Sequence, residues 1–389
     1  MMRRGGLLWR LTRKRRRGAT AALDARLYRV RIGLLVGAIV VIAVPTAINL
    51  ERSRGWRAEG KRIALTFDDV PRGPGAFYTP EQRATLLIAG LRGAGVEQAA
   101  FFANPGRIGP VNRADARLAS YVAAGHVVGD HSFSHRDLAS MPAPAFLGDI
   151  DRAEHWLRGR PGYRPWFRFP GLNQGGRDMA KRRAVVDGLI ARGLQIAWVS
   201  VDGSDWNIEG QTIAAKRAGL GIDEAALRDL YVDTMVQSAD FSDALMRRTI
   251  GRAPPQVLLL HETDVAARYL PDLVAALRKD GWAIVTADAA FADPVYHDTS
   301  DFVSANGTLP EALAWRKGVG GKLYYERNDL PLANRLFAER VLHRAPLART
   351  AAARTSSHRR CPVQLHPWRR VCASTAFVTP RTSRLGIAV

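Results

Sequence analysis

Two groups of residues in this chain are of the types that do chemistry. Thr66-Phe67-Asp68-Asp69 sets two carboxylates side by side, and His131-Ser132-Phe133-Ser134-His135 sets two imidazoles four residues apart. Imidazoles at that spacing share one face of a helical turn, and a nearby carboxylate completes an N,N,O set suited to a divalent metal. Three such ligands leave coordination positions open for water and a substrate carbonyl, the pattern of a catalytic rather than a structural zinc site.

The elements that must position these groups follow from the apolar pattern. Ile63-Ala64-Leu65-Thr66-Phe67 and Val127-Val128 read as short buried strands, each ending just before one of the groups. Ala99-Ala100-Phe101-Phe102, Ile196-Ala197-Trp198-Val199-Ser200-Val201, Val257-Leu258-Leu259-Leu260 and Ala283-Ile284-Val285-Thr286 read as further strands. Thr79-Pro80-Glu81-Gln82 joins a capping-box pattern to a proline at the first helical position, and Ala84, Leu87, Ile88 and Leu91 follow on one helix face. Helices are also expected over 118–124 and 271–279, and a charged one over 223–248. Strands alternating with helices predict an α/β fold with a parallel sheet, open or closed into a barrel. Polar groups follow strand after strand: Asp68 and Asp69, His131, Arg168 beyond Trp166-Phe167, Asp202 and Asp205 beyond Val201, and His261 beyond Leu260. In α/β barrels the carboxyl ends of the strands gather on one face, and catalytic groups come from several of them.

On these residues, from about Lys61 to Asp288, the chain resembles the polysaccharide deacetylase family, the carbohydrate esterase group built on the NodB homology domain. The resemblance implies a distorted (β/α) barrel of the NodB type. It also implies roles. In Thr66-Phe67-Asp68-Asp69, Asp68 would be the general base and Asp69 a metal ligand, and His131 and His135 would be the other two ligands. Arg168-Phe169-Pro170-Gly171 is similar to a motif whose arginine steadies the base, with Pro170 at the substrate. Asp205-Trp206 and Leu259-Leu260-His261 resemble the last two motifs, which makes His261 the general acid and Asp205 its partner, with Trp206 and Leu259 walling a pocket for the acetyl methyl. Two positions depart from the family pattern. Val70 stands where glycine is usual, which predicts strain if the backbone needs positive φ there. Asp130 stands where asparagine is common, which predicts added negative charge beside the metal.

The implied activity is a metal-dependent hydrolase that removes acetyl groups from an N-acetylated polysaccharide or cell-envelope glycan. A metal-bound water, the nucleophile, gives its proton to Asp68, and His261 protonates the leaving amine. The metal is expected to be zinc, with Co2+, Ni2+ or Mn2+ as alternatives. An O-acetyl esterase or a cyclic amidase would use the same site, and a non-catalytic glycan-binding protein of the envelope is the alternative outside enzymology.

The net charge of +21 does not point to nucleic acid, because it sits at the two ends of the chain. Residues 1–62 hold 16 Lys and Arg against 3 acids and residues 340–389 hold 10 against none, whereas 63–339 hold 31 against 33. The basic residues 1–31 precede 32–50, which is 19 residues without a charge. At ~1.5 Å per residue that stretch spans about 28 Å, close to a ~30 Å hydrocarbon core. The positive-inside rule then predicts a single-pass anchor in the inner (cytoplasmic) membrane with the catalytic part on the periplasmic side; secretion after cleavage of a signal sequence is the alternative. A linker over 51–62, a catalytic domain over 63–294 and a C-terminal extension over 295–339 follow, the extension expected to pack through Trp315, Tyr324 and Tyr325. Residues 340–389, with arginine but no lysine or acid and no apolar period, have the composition of a disordered tail. Both cysteines, Cys361 and Cys372, lie there, so the catalytic part has no disulfide.

Overall fold

The computed structural model describes residues 60–109, 113–302 and 307–344. The basic N-terminus, the apolar span 32–50, the linker to residue 59 and the tail from 345 on lie outside them. Among the described residues no helix is long and apolar enough to cross a membrane.

The strands are β1 (Arg62–Val70), β2 (Ala100–Ala103), β3 (Val127–Asp130), β4 (Tyr163–Phe167), β5 (Gln195–Ile196), β6 (Val201–Asp202), β7 (Gln256–His261) and β8 (Ala283–Ile284). All their pairings are parallel, in the order β5-β4-β3-β2-β1-β7-β6, with β8 paired to the start of β1. Parallel strands need crossovers that cover the sheet with helices, and the strands here are buried on both faces. Alternation along β1 separates two cores. Ile63, Leu65 and Phe67 join the outer layer with Leu87, Leu91, Leu270 and Leu273, while Ala64 joins an inner one with Ala100, Phe102, Val127 and Val257.

The single strand expected over 196–201 is instead two short ones. Ala197 N–H donates to Phe167 O and Ser200 N–H to Val257 O, so the chain leaves β4 and crosses to β7 within four residues. β5 and β6 are therefore the two ends of the sheet, joined by the chain but not by strand pairing. The result is a curled, incompletely closed barrel, which agrees with the distorted (β/α) barrel the resemblance implies.

The helices that pack outside it are α1 (Pro80–Gly93), α2 (Ala114–Ala123), α3 (Ala143–Leu157), α4 (Met179–Ala191), α5 (Asp205–Arg217), α6 (Glu224–Ile250), α7 (Asp264–Lys279), α8 (Ala287–Phe291), α9 (Leu309–Arg316) and α10 (Leu330–Arg340). The capping box at Thr79 and Gln82 forms as the sequence predicts, and Asp223 caps α6. Helix α7 starts seven residues before Pro271, because Thr263 accepts the Ala266 N–H and fixes the start there. Helices α3 and α4 have no counterpart among the sequence expectations. The described residues between Pro294 and Arg344 are folded onto the barrel, and of the three aromatics expected to pack Tyr325 is the buried one. Trp315 is 55% exposed and Tyr324 is also exposed, while Tyr325, Tyr296, Phe302, Leu309 and Leu313 are buried.

Candidate active site

The site lies at the carboxyl ends of the strands. Parallel pairing sets Asp68, near the end of β1, directly opposite His261, the last residue of β7. Beneath them Arg168 is buried just past β4. Its Nη1 donates to Asp68 Oδ1 at 2.7 Å and to Thr66 Oγ1 at 2.8 Å, and its Nε donates to Ala197 O at 3.0 Å. The guanidinium lies over the Phe102 ring at 3.8 Å, and that ring leaves no room for a side chain at residue 129, where a Cβ would sit 2.6 Å from it. Gly129 is thus required by the ring that supports Arg168. Asp68 is only 2% exposed. Arg168→Leu is expected to lower stability by about 3–5 kcal/mol, measured by urea unfolding, because it strands a buried carboxylate.

Both histidines lie in the irregular loop that follows β3. The helical face expected at 131–135 is absent, since Ser132 and His135 take left-handed backbone conformations (φ 63° and 59°). Local hydrogen bonds hold that shape: Asp130 Oδ1 accepts from Ser132 N, Ser132 Oγ accepts from His135 N, and Asn104 Nδ2 donates to the carbonyls of His131 and Ser132. His131 Nδ1 is 2.9 Å from Arg168 O, a partner that can only accept, so its proton is on Nδ1 and the Nε2 lone pair faces the site. Burial, opposed by Asp68, lowers the His131 pKa to about 4, which keeps the ring neutral.

Asp69 is itself left-handed (φ 67°). The strain expected at Val70 is not there; Val70 is a fully buried strand residue, and the turn is made one position earlier. Asp69 Oδ1 lies 2.6 Å from His135 Nε2 and 3.7 Å from His131 Nε2. That oxygen is buried and has no hydrogen-bond partner among the described residues. Burial would raise the Asp69 carboxyl, but His135 and the charge of His261 hold it well below the usual range. The ligand atoms of Asp69, His131 and His135 all fall within 4.8 Å of one another. An anionic oxygen, two imidazole nitrogens and an orphaned buried acceptor fit a divalent cation. Burial and Glu154 push the Asp130 carboxyl well above the usual range, which opposes the added charge expected there.

On the other side, His261 Nδ1 is 2.6 Å from Asp205 Oδ1, and Asp205 Oδ2 accepts the His261 backbone N–H at 2.8 Å. Burial lowers the His261 pKa, but Asp205, helped by Asp69 and Asp68, raises it to about 9.

A cavity of about 420 Å³ joins these groups. Asp68, Asp69, His131, His135, Trp206, Leu259 and His261 line it, while Arg168 and Asp205 stand behind the residues they hold. Pro170 does not line it. Left-handed turns at Gly171 and Leu172 carry the chain outward after Pro170, so residues 171–173 form that rim. The sequence reading omits Arg72, whose Nη1 donates to Asp69 Oδ2 at 2.8 Å, and gives no site role to the lining residues beyond 300, Glu311 and Asn328 among them, naming Tyr324 only for packing. It names Asp202 only as a residue after a strand; the others carry no local signal, because they reach the site from a segment without a motif. Burial, eased by a hydrogen bond from Ser204 N–H, raises Asp202 to about 6, and burial raises Glu311 to about 8 despite the Thr308 N–H.

Residues 56–184 match the family model described as polysaccharide deacetylase. The chain carries a polysaccharide deacetylase domain of the NodB type. The match takes in Asp68, Asp69, both histidines and Arg168; Asp205, Trp206, Leu259 and His261 lie beyond it. Over 170 residues this chain is 27% identical to the peptidoglycan-N-acetylglucosamine deacetylase PgdA of Listeria monocytogenes, which is 43% of this chain and 31% of that protein. It thus spans about a third of the length of the curated relatives it matches. Among solved structures it is similar to a family 4 carbohydrate esterase from Streptomyces lividans in complex with acetate (21% identity, 59% of this chain and 95% of that one, TM-score 0.39). It is also similar to a family 4 acetyl xylan esterase from Clostridium thermocellum in complex with a cobalt ion (19% identity, 59% and 90%, TM-score 0.39).

Proposed function

We propose that this deacetylase domain is a metal-dependent hydrolase that removes acetyl groups from an N-acetylated polysaccharide or cell-envelope glycan. The observation that carries the reading is the juxtaposition of Asp68 and His261 across β1 and β7 beside the convergent Asp69, His131 and His135. Those last three would hold the cation, zinc first among the candidates, since the set offers two imidazoles and one carboxylate. A divalent ion so bound supplies a water acidic enough to attack at neutral pH and charge to stabilise the carbonyl oxygen.

The chain's own residues do the rest. Arg168 occupies Asp68 Oδ1, so Oδ2 is the atom that takes the proton from the attacking water. Asp205 fixes His261 through Nδ1, which leaves Nε2 to hand a proton to the departing nitrogen. Amide cleavage needs that proton, because an amide anion is a very poor leaving group. Trp206 and Leu259 wall the space for the acetyl group and exclude water from it. From its sequence, residues 32–50 are proposed to anchor the enzyme in the inner membrane with the domain on the extracytoplasmic side.

The test is acetate release from a panel of N- and O-acetylated glycans, with and without a chelator. Release that stops on metal removal and returns on adding zinc supports the reading; release indifferent to complete metal removal overturns it. Purified protein is expected to hold about one divalent ion per chain, and His131→Ala or His135→Ala to lose it. Metal analysis that finds full occupancy in the double variant would remove the ligand assignment.

A further inference from the structure

The residues around the cavity follow one another in the order of the strands in the sheet. Leu259 and His261 come from β7, Asp68 and Asp69 from β1, and His131 and His135 from the loop after β3. Over the end of β2 the gap is bridged, as Gly106 N–H donates to Phe133 O at 2.9 Å and Arg107 Nη1 lies 3.5 Å from Asp69 Oδ1. Residues 171–173 follow from β4, and Asp202 and Trp206 from β6. The sector left over is the one where β5 and β6 do not pair.

Residues 307–328 fill that sector. Gly307 N–H donates to Leu172 O at 3.2 Å, Leu309 N–H to Val199 O at 2.8 Å, and Asn328 Nδ2 to Asp202 O at 3.0 Å, while Ser204 Oγ donates to Asn328 Oδ1 at 3.1 Å. The segment is therefore stitched to the rim on both sides of the seam. Lining residues therefore come from both sides of the seam as well as from the strand ends, the arrangement of a cup rather than of a trough open at two ends. A volume of about 420 Å³ is that of a small-molecule site.

The added wall also changes what the cup can recognise. Asp202 and Glu311 are 7% and 8% exposed, and both line the cavity. Each gives one oxygen to a turn: Asp202 Oδ1 accepts from Ser204 N–H at 2.7 Å, and Glu311 Oε2 accepts from Thr308 N–H at 3.1 Å. No hydrogen bond from a described residue reaches the second oxygen of either side chain. A carboxylate oxygen on a cavity wall that the protein leaves without a partner is a place for a ligand's hydroxyl group.

We propose that the cup admits one end of a short acetylated oligosaccharide, and that Asp202 and Glu311 bind hydroxyl groups of the sugar whose acetyl group is removed. This rests on the deacetylase reading for the bond broken, but not for the shape of the site or the binding of the sugar. A polymer chain cannot lie across the mouth and place an interior unit beside Asp68, so the residue attacked is a terminal one.

The test uses β-linked N-acetylglucosamine oligomers of increasing length with the metal-loaded full chain. Binding is followed by tryptophan fluorescence, and the position of acetate loss is mapped by mass spectrometry on end-labelled oligomers. Affinity is expected to level off after two or three units, and acetate to leave one terminal residue. Glu311→Gln keeps an acceptor for Thr308 N–H and is expected to weaken binding and raise KM roughly tenfold, the scale of one hydrogen bond to a charged or acidic group. Affinity that climbs with every added unit, equal acetate loss from interior residues, or unaltered binding by Glu311→Gln would each overturn the proposal; the first two need no variant. Binding in the expected pattern without acetate release would uphold the cup and overturn the deacetylase reading.

Discussion

Asp68→Asn is expected to cut acetate release roughly 10²–10⁴-fold, the usual worth of a general base, while the bound divalent ion stays in place. The reason is the division of labour between neighbours of the same type. Asp68 is held from below by Arg168 at 2.7 Å, and Asp69 reaches the two histidines with an oxygen that nothing else satisfies. Asp69→Asn should therefore lose the ion first and activity in consequence, with zinc added in excess restoring part of the rate. Metal content and initial rates measured on the same two preparations separate the roles. If Asp68→Asn lost the ion and Asp69→Asn kept it, the assignment would have to be exchanged, a real alternative given that His131 Nε2 lies 3.6 Å from Asp68 Oδ2 and 3.7 Å from Asp69 Oδ1.

His261→Ala should cost a similar factor on an N-acetyl sugar and about tenfold or less on an activated aryl acetate, whose leaving group needs no proton. Equal losses on the two substrates would leave His261 as a positioning group only. The pH profile supplies a second measure. His261 must be protonated to act as an acid, and its pKa is raised to about 9, so the rate should hold through neutral pH and fall as pH rises through about 9. Asp205→Asn removes the partner that raises it and should move that limb to lower pH. The sign for stability is the same: the His261–Asp205 pairing contributes fully below about pH 6.5, the ordinary histidine value, and is lost as pH rises through about 9.

Much of this was legible in the residues, for identifiable reasons. Strand ends carry polar groups in a fixed order, so Asp68, His131, Arg168, Asp205 and His261 could be read as one face before any coordinates. The capping box at Thr79 was legible because it is made within four residues. What stayed hidden depends on contacts distant in sequence. The break between β5 and β6 is set by Phe167 and Val257, which claim the two ends of one apolar run. Spacing alone suggested a helical turn for His131 and His135, yet Asn104 and Asp130 hold a loop with left-handed residues instead. Asp130 looked like an added charge, and the burial beside Glu154 that opposes its ionisation is not visible in the sequence. Glu311 and Asn328 have no neighbours in sequence that hint at chemistry.

The seam between β5 and β6 also sets an order of events when the chain is made. Strand β1 must wait nearly two hundred residues for β7, and pairings that distant are intrinsically slow to form. Every ligand and both proton-transfer residues have been synthesised by the time β7 is complete, yet residues 307–328 are still to come. Until they arrive the nascent molecule has a trough in place of its cup, with the apolar lumen beside Val199 open to water and to other chains. The shape that selects the substrate is thus acquired only after the chemistry it serves is already in place.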